Sequence, residues 1–189
     1  LIARYFDANE LSTVLGSAEV GALFSAQPFD HLIFTGGTAV GRHIMRAAAD
    51  NLVPVTLELG GKSPVLVSRS ADLATVVQRV MTVKTFNAGQ ICLAPDYLLL
   101  PEESLGDFVA EAVRFVSAMY PTLRSNPDYT SIINPRHFDR LRSYLADAQA
   151  KGARLVEINP AQEDLSDCET RKIAPTLVLD SNEQMQVLR

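Results

Sequence analysis

Tryptophan is absent from the chain, cysteine occurs only at Cys92 and Cys168, and histidine only at His31, His43 and His137. Two cysteines are too few for a disulfide framework, so both are read as free thiols of a reducing compartment. The three histidines stand too far apart for a local metal motif, and no Cys/His pair has ligand spacing, so no metal site is expected. Nor does any Lys/Arg cluster occur, and the formal charge of −5 gives a phosphate backbone or an anionic membrane surface little to hold. Nucleic acid is therefore not an expected partner. No apolar run approaches the ~20 residues that span a bilayer, and Leu1-Ile2-Ala3-Arg4 is charged too early for a signal peptide, so a cytoplasmic protein is expected.

What is present is a hydrophobic fraction of 47% in 189 residues, enough for one sizeable core or two small ones. Short apolar strands alternate with amphipathic helices, the pattern of an α/β fold. Strands are expected over His31 to Thr35, Pro54 to Leu59, Pro64 to Val67, Tyr97 to Leu100, Ala153 to Glu157 and Thr176 to Leu179. Helices are expected over Ala39 to Ala49, Leu73 to Phe86, from Pro101 to about Met119, and over Pro135 to Lys151, with Gly152 as the last one's stop. Asn159 to Glu169 reads as an acidic loop. Paired glycines after a strand let the backbone turn sharply, so Gly60-Gly61 marks the boundary between a domain of residues 1–59 and one of residues 60–189.

Two glycine motifs invite a phosphate reading. Gly61-Lys62-Ser63 ends like a P-loop, but Thr56 stands where that template needs glycine, which excludes it. Gly36-Gly37-Thr38-Ala39-Val40-Gly41 joins a strand to a helix as a dinucleotide site does, yet Thr38 occupies the second glycine's place. Backbone N–H groups at the helix start can still face a pyrophosphate; a tight turn in a βα unit accounts for the residues equally well.

Cys92 lies in a loop beyond the helix that starts near Leu73, in Asn87-Ala88-Gly89-Gln90-Ile91-Cys92, and Glu58 precedes it by 34 positions. A thiolate is an intrinsically strong nucleophile, and a carboxylate that reaches water can hydrolyse the thioester left behind. Taken singly, Cys92 reads as a small buried hydrophobe. Glu58, taken the same way, reads as a strand-end carboxylate in water. Cys168, between Asp167 and Glu169, is a bystander. Arg42 and Arg46 form a solvated helix face, and Lys62 reads as a structural charge.

Three segments taken together carry more. Phe34-Thr35-Gly36-Gly37-Thr38-Ala39-Val40-Gly41, Leu57-Glu58-Leu59-Gly60-Gly61-Lys62-Ser63-Pro64 and Asn87 to Cys92 resemble, in order and spacing, three signatures of the NAD(P)-dependent aldehyde dehydrogenase superfamily. Cys92-Leu93-Ala94-Pro95-Asp96-Tyr97 and Pro28-Phe29-Asp30-His31-Leu32 are most similar to the branch holding coniferyl-aldehyde and fatty-aldehyde dehydrogenases. The resemblance implies a partial Rossmann-like cofactor domain joined to part of an α/β catalytic domain. It implies Cys92 as nucleophile and Glu58 as the base of deacylation. Gly36, Gly37 and Val40 would line the cofactor's pyrophosphate and adenine region, and Leu59 would pack near the nicotinamide. Gly89 and Gln90 would shape the loop that aims the sulfur.

The implied substrate is an aldehyde, coniferyl or another aromatic or long-chain one, and the implied cofactor is NAD or NADP, with NAD favoured. The implied parent is a homodimer or homotetramer. Many relatives carry Ser at the place of Gly37, so a hydroxyl available to pyrophosphate is missing here. The family's oxyanion Asn, its ribose-binding Lys and its Glu-Ile-Phe-Gly-Pro motif have no counterpart in these residues. The chain is thus expected to be an internal fragment, inactive in isolation and prone to self-association through an unpaired sheet edge. A non-catalytic relative that keeps the fold for binding or structure is the alternative, and the reactivity of Cys92 separates the two.

Overall fold

A computed structural model describes all residues from Leu1 to Arg189, and the chain divides into two compact units, Leu1–Gly61 and Lys62–Arg189. The first unit opens with two helices that the periodicity does not announce, α1 (Ile2–Tyr5) and α2 (Ala18–Ser25), the latter capped by the Ser17 hydroxyl. Its centre is a βαβ unit: β1 (Leu32–Gly36), α3 (Thr38–Ala49) and β2 (Val55–Leu59), with the strands parallel and Leu32 paired with Val55 through to Gly36 with Leu59. In α3 the small or apolar residues Gly41, Ile44 and Ala48 recur at helical spacing, Ile44 and Ala48 packing with Leu32, Phe34, Val53 and Val55 and Gly41 lying against Leu57 and Leu59, while Arg42 and Arg46 stay in solvent. The strands are buried on one face only. Ile33 is 70% exposed, because α3 covers one side of the pair and nothing in this unit covers the other.

The second unit repeats the strand-helix-strand theme. β3 (Ser63–Leu66) leads into α4 (Leu73–Thr85), whose N-terminus is capped by Asp72 accepting from the Thr75 N–H at 3.0 Å, and β4 (Pro95–Leu99) returns parallel to β3. α5 (Leu105–Met119) packs on α4, with Phe108, Ala112 and Val116 set against Val77, Val80 and Met81. α6 (Pro135–Ala150) starts on an Asn134 cap and stops before Gly152, whose φ is +94°. β5 (Arg154–Glu157) and β6 (Thr176–Leu179) form an antiparallel pair.

Local expectations shift at several ends. The helix expected to begin at Pro101 opens as a tight 3-10 turn over Glu102–Ser104, because Pro101 has an extended backbone and delays the first α-helical bond. α6 ends at Ala150, one residue short of Lys151. Phe86 falls outside α4 because its ψ of 127° breaks the helical run. Neither Gly60 nor Gly61 takes a left-handed backbone, so neither position draws on glycine's special freedom. The acidic loop is more than a solvated tract: the Glu163 carboxylate turns inward to accept the N–H groups of Leu123 and Arg124, and buried Lys172 donates to the carbonyls of Leu123 and Asn126 at 2.9 and 2.6 Å. Lys172 offsets its burial with charge-assisted hydrogen bonds to backbone. No helix is long and apolar enough to cross a membrane.

Candidate active site

Five of the residues singled out from the sequence meet at the carboxyl ends of β1 and β2. The parallel register pairs Thr35 with Glu58 and Gly36 with Leu59, so the glycine turn and the Glu58-Leu59 dipeptide share one end of the sheet. Ligands of parallel α/β sheets settle outside that end. Alternation along β2 turns Leu57 and Leu59 toward α3 and Glu58 toward the uncovered face. Glu58 is exposed and forms no ion pair or side-chain hydrogen bond, so its carboxylate oxygens are open to solvent.

Gly37 is the N-cap of α3, with φ −74° and ψ 146°, and no side chain caps the helix. The opening N–H groups of α3 are therefore available to an anion, reinforced by the helix dipole. A Cβ on Gly37 would have no atom within 4 Å, so open space lies against this cap; a Ser here would fit as readily as the glycine. Val40 is 50% exposed on the first turn of α3, an apolar surface of the sort that a purine face covers. These features suit a dinucleotide. Gly41, which the sequence reading did not assign to the site, has a packing role: a Cβ there would stand 3.0 Å from Leu59 Cδ2, so its lack of a side chain lets α3 approach β2 and seat Leu59.

Cys92 belongs to the second unit. The chain reaches it through three consecutive residues with left-handed backbone, Asn87 (φ 51°), Ala88 (φ 53°) and Gly89 (φ 74°). Only the last is a glycine; asparagine tolerates this region better than most side chains, and Ala88 costs about 1–2 kcal/mol by the usual steric clash. Such strain persists where surroundings over-determine it, and here they do. Asn87 Nδ2 donates to Gln90 O at 3.2 Å, and Gln90 Nε2 donates back to Asn87 O at 3.0 Å. The same Gln90 amide reaches Ser131 O at 3.1 Å and accepts from Ile133 N–H at 2.9 Å. Gly89 is required by contact as well as conformation, since a Cβ there would lie 3.1 Å from Lys84 O.

The result is an exposed Cys92 at the tip of a turn closed by the Ala94 N–H bonding to Ile91 O at 3.2 Å. Its own backbone N–H donates to no carbonyl of the protein. A buried-hydrophobe role for this thiol is thus overturned by position: the loop spends conformational energy to present it to solvent. Cys168 is also exposed, but no comparable constraint surrounds it.

Lysines border the loop. Lys62 Nζ pairs with Asp96 Oδ2 at 2.6 Å and donates to Val187 O at 2.8 Å, tying the start of β3, the start of β4 and the C-terminal segment together. Lys84 runs its stem beneath Gly89, and burial holds its ammonium below the ordinary lysine range, with Asp96 opposing that shift and Lys62 adding to it. Lys84 and Gln90's long-range partners were not visible in the sequence, because nothing in residue spacing says what lies across a loop.

Comparison with known proteins places this arrangement. The chain is 78% identical over 188 residues to a coniferyl aldehyde dehydrogenase of Pseudomonas sp. strain HR199, covering the whole chain and 39% of that protein. Among solved structures it is similar to the substrate-bound state of Staphylococcus aureus AldH, with a TM-score of 0.86, 35% identity, and coverage of 100% of this chain and 40% of that one. It is also similar to a Mycobacterium tuberculosis aldehyde dehydrogenase complexed with NAD+, with a TM-score of 0.76, 31% identity, and coverage of 90% and 36%. The chain thus spans about two-fifths of the length of the relatives it matches. With the aldehyde dehydrogenase family model matching residues 3–189, the βαβ glycine turn, the Glu58 strand end and the Cys92 loop all fall inside the match, and the chain belongs to the aldehyde dehydrogenase family.

Proposed function

We propose that this chain supplies the nucleophile, the water-activating carboxylate and part of the cofactor cleft of an enzyme that oxidises an aldehyde to its carboxylic acid. The observation that carries the reading is the presentation of Cys92: an exposed thiol at the end of a strained, side-chain-locked left-handed turn. In this reading residues 1–59 are part of the cofactor domain and residues 60–189 part of the catalytic domain. The 78% identity to a protein named for coniferyl aldehyde supports an aromatic aldehyde as substrate, and the solved relative holding NAD+ supports NAD or NADP, with NAD favoured.

Gly36 and Gly37 leave the cofactor's pyrophosphate access to the N–H groups of α3, Val40 offers it an apolar shelf, and Leu59, seated against Gly41, supports the nicotinamide. The chemistry supplied by bound NAD(P)+ is acceptance of a hydride. The Cys92 thiolate adds to the carbonyl carbon, forming a C–S bond and placing negative charge on the former carbonyl oxygen. The free N–H of Cys92 donates to that oxyanion. With NAD(P)+ bound to take the hydride, collapse of the tetrahedral adduct would leave a thioester on the sulfur. Glu58 takes a proton from water as that water attacks the thioester, and the acid departs as the thiolate is regenerated.

The test uses the complete gene product with coniferyl and aliphatic aldehydes. Cys92→Ala is expected to bring turnover to background. Glu58→Gln is expected to keep a burst of reduced cofactor while lowering the steady-state rate by about 10²–10⁴-fold, the usual worth of a general base. Undiminished turnover in Cys92→Ala would overturn the mechanism, whereas a parent protein without turnover and with an unreactive Cys92 would favour a non-catalytic relative.

A further inference from the structure

The loop that carries Cys92 is gripped from outside at Gln90, two positions before the thiol, and what Gln90 grips is itself held by a residue far along the chain. Ser131 to Ile133 lies in neither helix nor strand. Its two edges are used differently. On one edge Ser131 O and Ile133 N–H bond the two ends of the Gln90 amide, at 3.1 and 2.9 Å, so that the side chain stands in for the peptide group of a neighbouring strand. On the other edge Ile132 N–H donates to Arg171 O at 2.8 Å, and Arg171 Nε donates to Ile132 O at 3.0 Å.

We propose that Arg171 is a positioning residue for the nucleophile loop, fixing the Cys92 turn through Ile132 and Gln90. The inference rests on the reading of Cys92 as the nucleophile. Three observations support it. Ile132 is 4% exposed, so its carbonyl has no water to replace the Arg171 donor and must move if the guanidinium is lost. Arg171 itself has a φ of +47°, an unfavourable conformation for a side chain of its size that is held by its bonds to Ile132 and by its Nη1 donation to Glu169 O at 3.2 Å. The Gln90 amide also bonds Asn87 O inside the strained turn, so a shift of Ser131–Ile133 is passed directly to the residues that set the direction of the Cys92 backbone.

The experiment uses the complete gene product in a Cys168→Ser background, with kcat, cofactor KM and the rate of Cys92 alkylation by iodoacetamide measured together. Arg171→Ala and Gln90→Ala are each expected to lower kcat by on the order of 10- to 100-fold, the effect of roughly an ångström of misplacement, and to change the alkylation rate in the same direction as each other, with cofactor KM little changed. The double variant should lose little more than Gln90→Ala alone, because Gln90 is the link. Arg171→Ala behaving like the parent, or losses that multiply in the double variant, would overturn the proposal.

Amide exchange in Gln90→Ala gives an independent reading if Arg171→Ala does not fold: faster exchange at both Ile132 and Ile133 supports the tether, and unchanged exchange at Ile132 refutes it. Failure of the nucleophile reading itself shows separately, as full turnover in Cys92→Ala.

Discussion

At the scale of single residues, the chemistry of this chain depends on backbone conformations that most side chains avoid. Asn87 and Ala88 hold left-handed backbone at a cost, and Gly89 holds it without one. Replacing Ala88 by glycine is therefore expected to stabilise the second unit by about 0.5–1 kcal/mol, the relief of strain less the added freedom of the unfolded chain. Gly89→Ala should destabilise it by at least ~1 kcal/mol, since the new Cβ meets Lys84 O as well as the wrong backbone region. Urea midpoints of the two variants, moving in opposite directions, check the pair. The asymmetry was half visible in the sequence. A glycine before Gln90 announces a special turn, but nothing in Ala88 says that an alanine shares its conformation.

At the scale of elements, the close approach of α3 to β2 decides where Leu59 sits. Gly41→Ala sets better helix propensity, worth up to ~1 kcal/mol, against a contact of 3.0 Å with the flexible end of Leu59. Gly41→Leu has no such balance: it must displace Leu59 or part the helix from the strand, at a cost of about 1–3 kcal/mol for overpacking. The expected outcome is near-parental stability for the alanine variant and a clear loss for the leucine variant, with cofactor KM raised in the leucine variant. Thermal unfolding and cofactor titration of the complete gene product check both. The strands and the long helices were legible because their apolar periods are strong. α1 and α2 were not, being short and without a buried stripe: no residue of α1 is buried, and only Ser25 of α2 is.

At the scale of the whole molecule, two properties follow from what is paired and what is left open. Asp72, Asp147 and Asp167 all titrate below the ordinary aspartate range, held there chiefly by the Thr75 hydroxyl, the Gln186 N–H and the Thr170 N–H respectively. Their folded values are depressed, so their stabilisation is complete above the unfolded aspartate value near ~3.9 and is lost as pH falls through the folded values. Denaturant midpoints are expected to hold between neutral pH and ~5 and to fall below ~4. Asp72→Asn, Asp147→Asn and Asp167→Asn combined should flatten that decline.

The second property is an apolar face. Pro64 and Leu66 on β3 stand beside Tyr97 and Leu99 on β4 on the side away from the core, with Leu66 77% exposed, while Val65 and Leu98 face α4 and α5. A two-stranded sheet with such a face is marginal unless covered. The chain expressed by itself is expected to self-associate, and Leu66→Glu with Leu99→Lys to shift it toward monomer in sedimentation velocity.

The order of the strands and of the four long helices and the identity of the chemical groups were determined by the sequence alone. Periodicity and motif are local properties, and each of these features rests on neighbours along the chain. Tertiary structure decided which of those groups are held and by what: Glu58 turned to the uncovered face by the alternation of β2, Lys62 clasped by Asp96 and Val187, and the Cys92 turn gripped through Gln90 by Ser131 and Ile133. Hydrogen bonds between segments 40 or more residues apart depend on where packing brings backbone groups that every residue carries alike, and a sequence does not mark one carbonyl from the next.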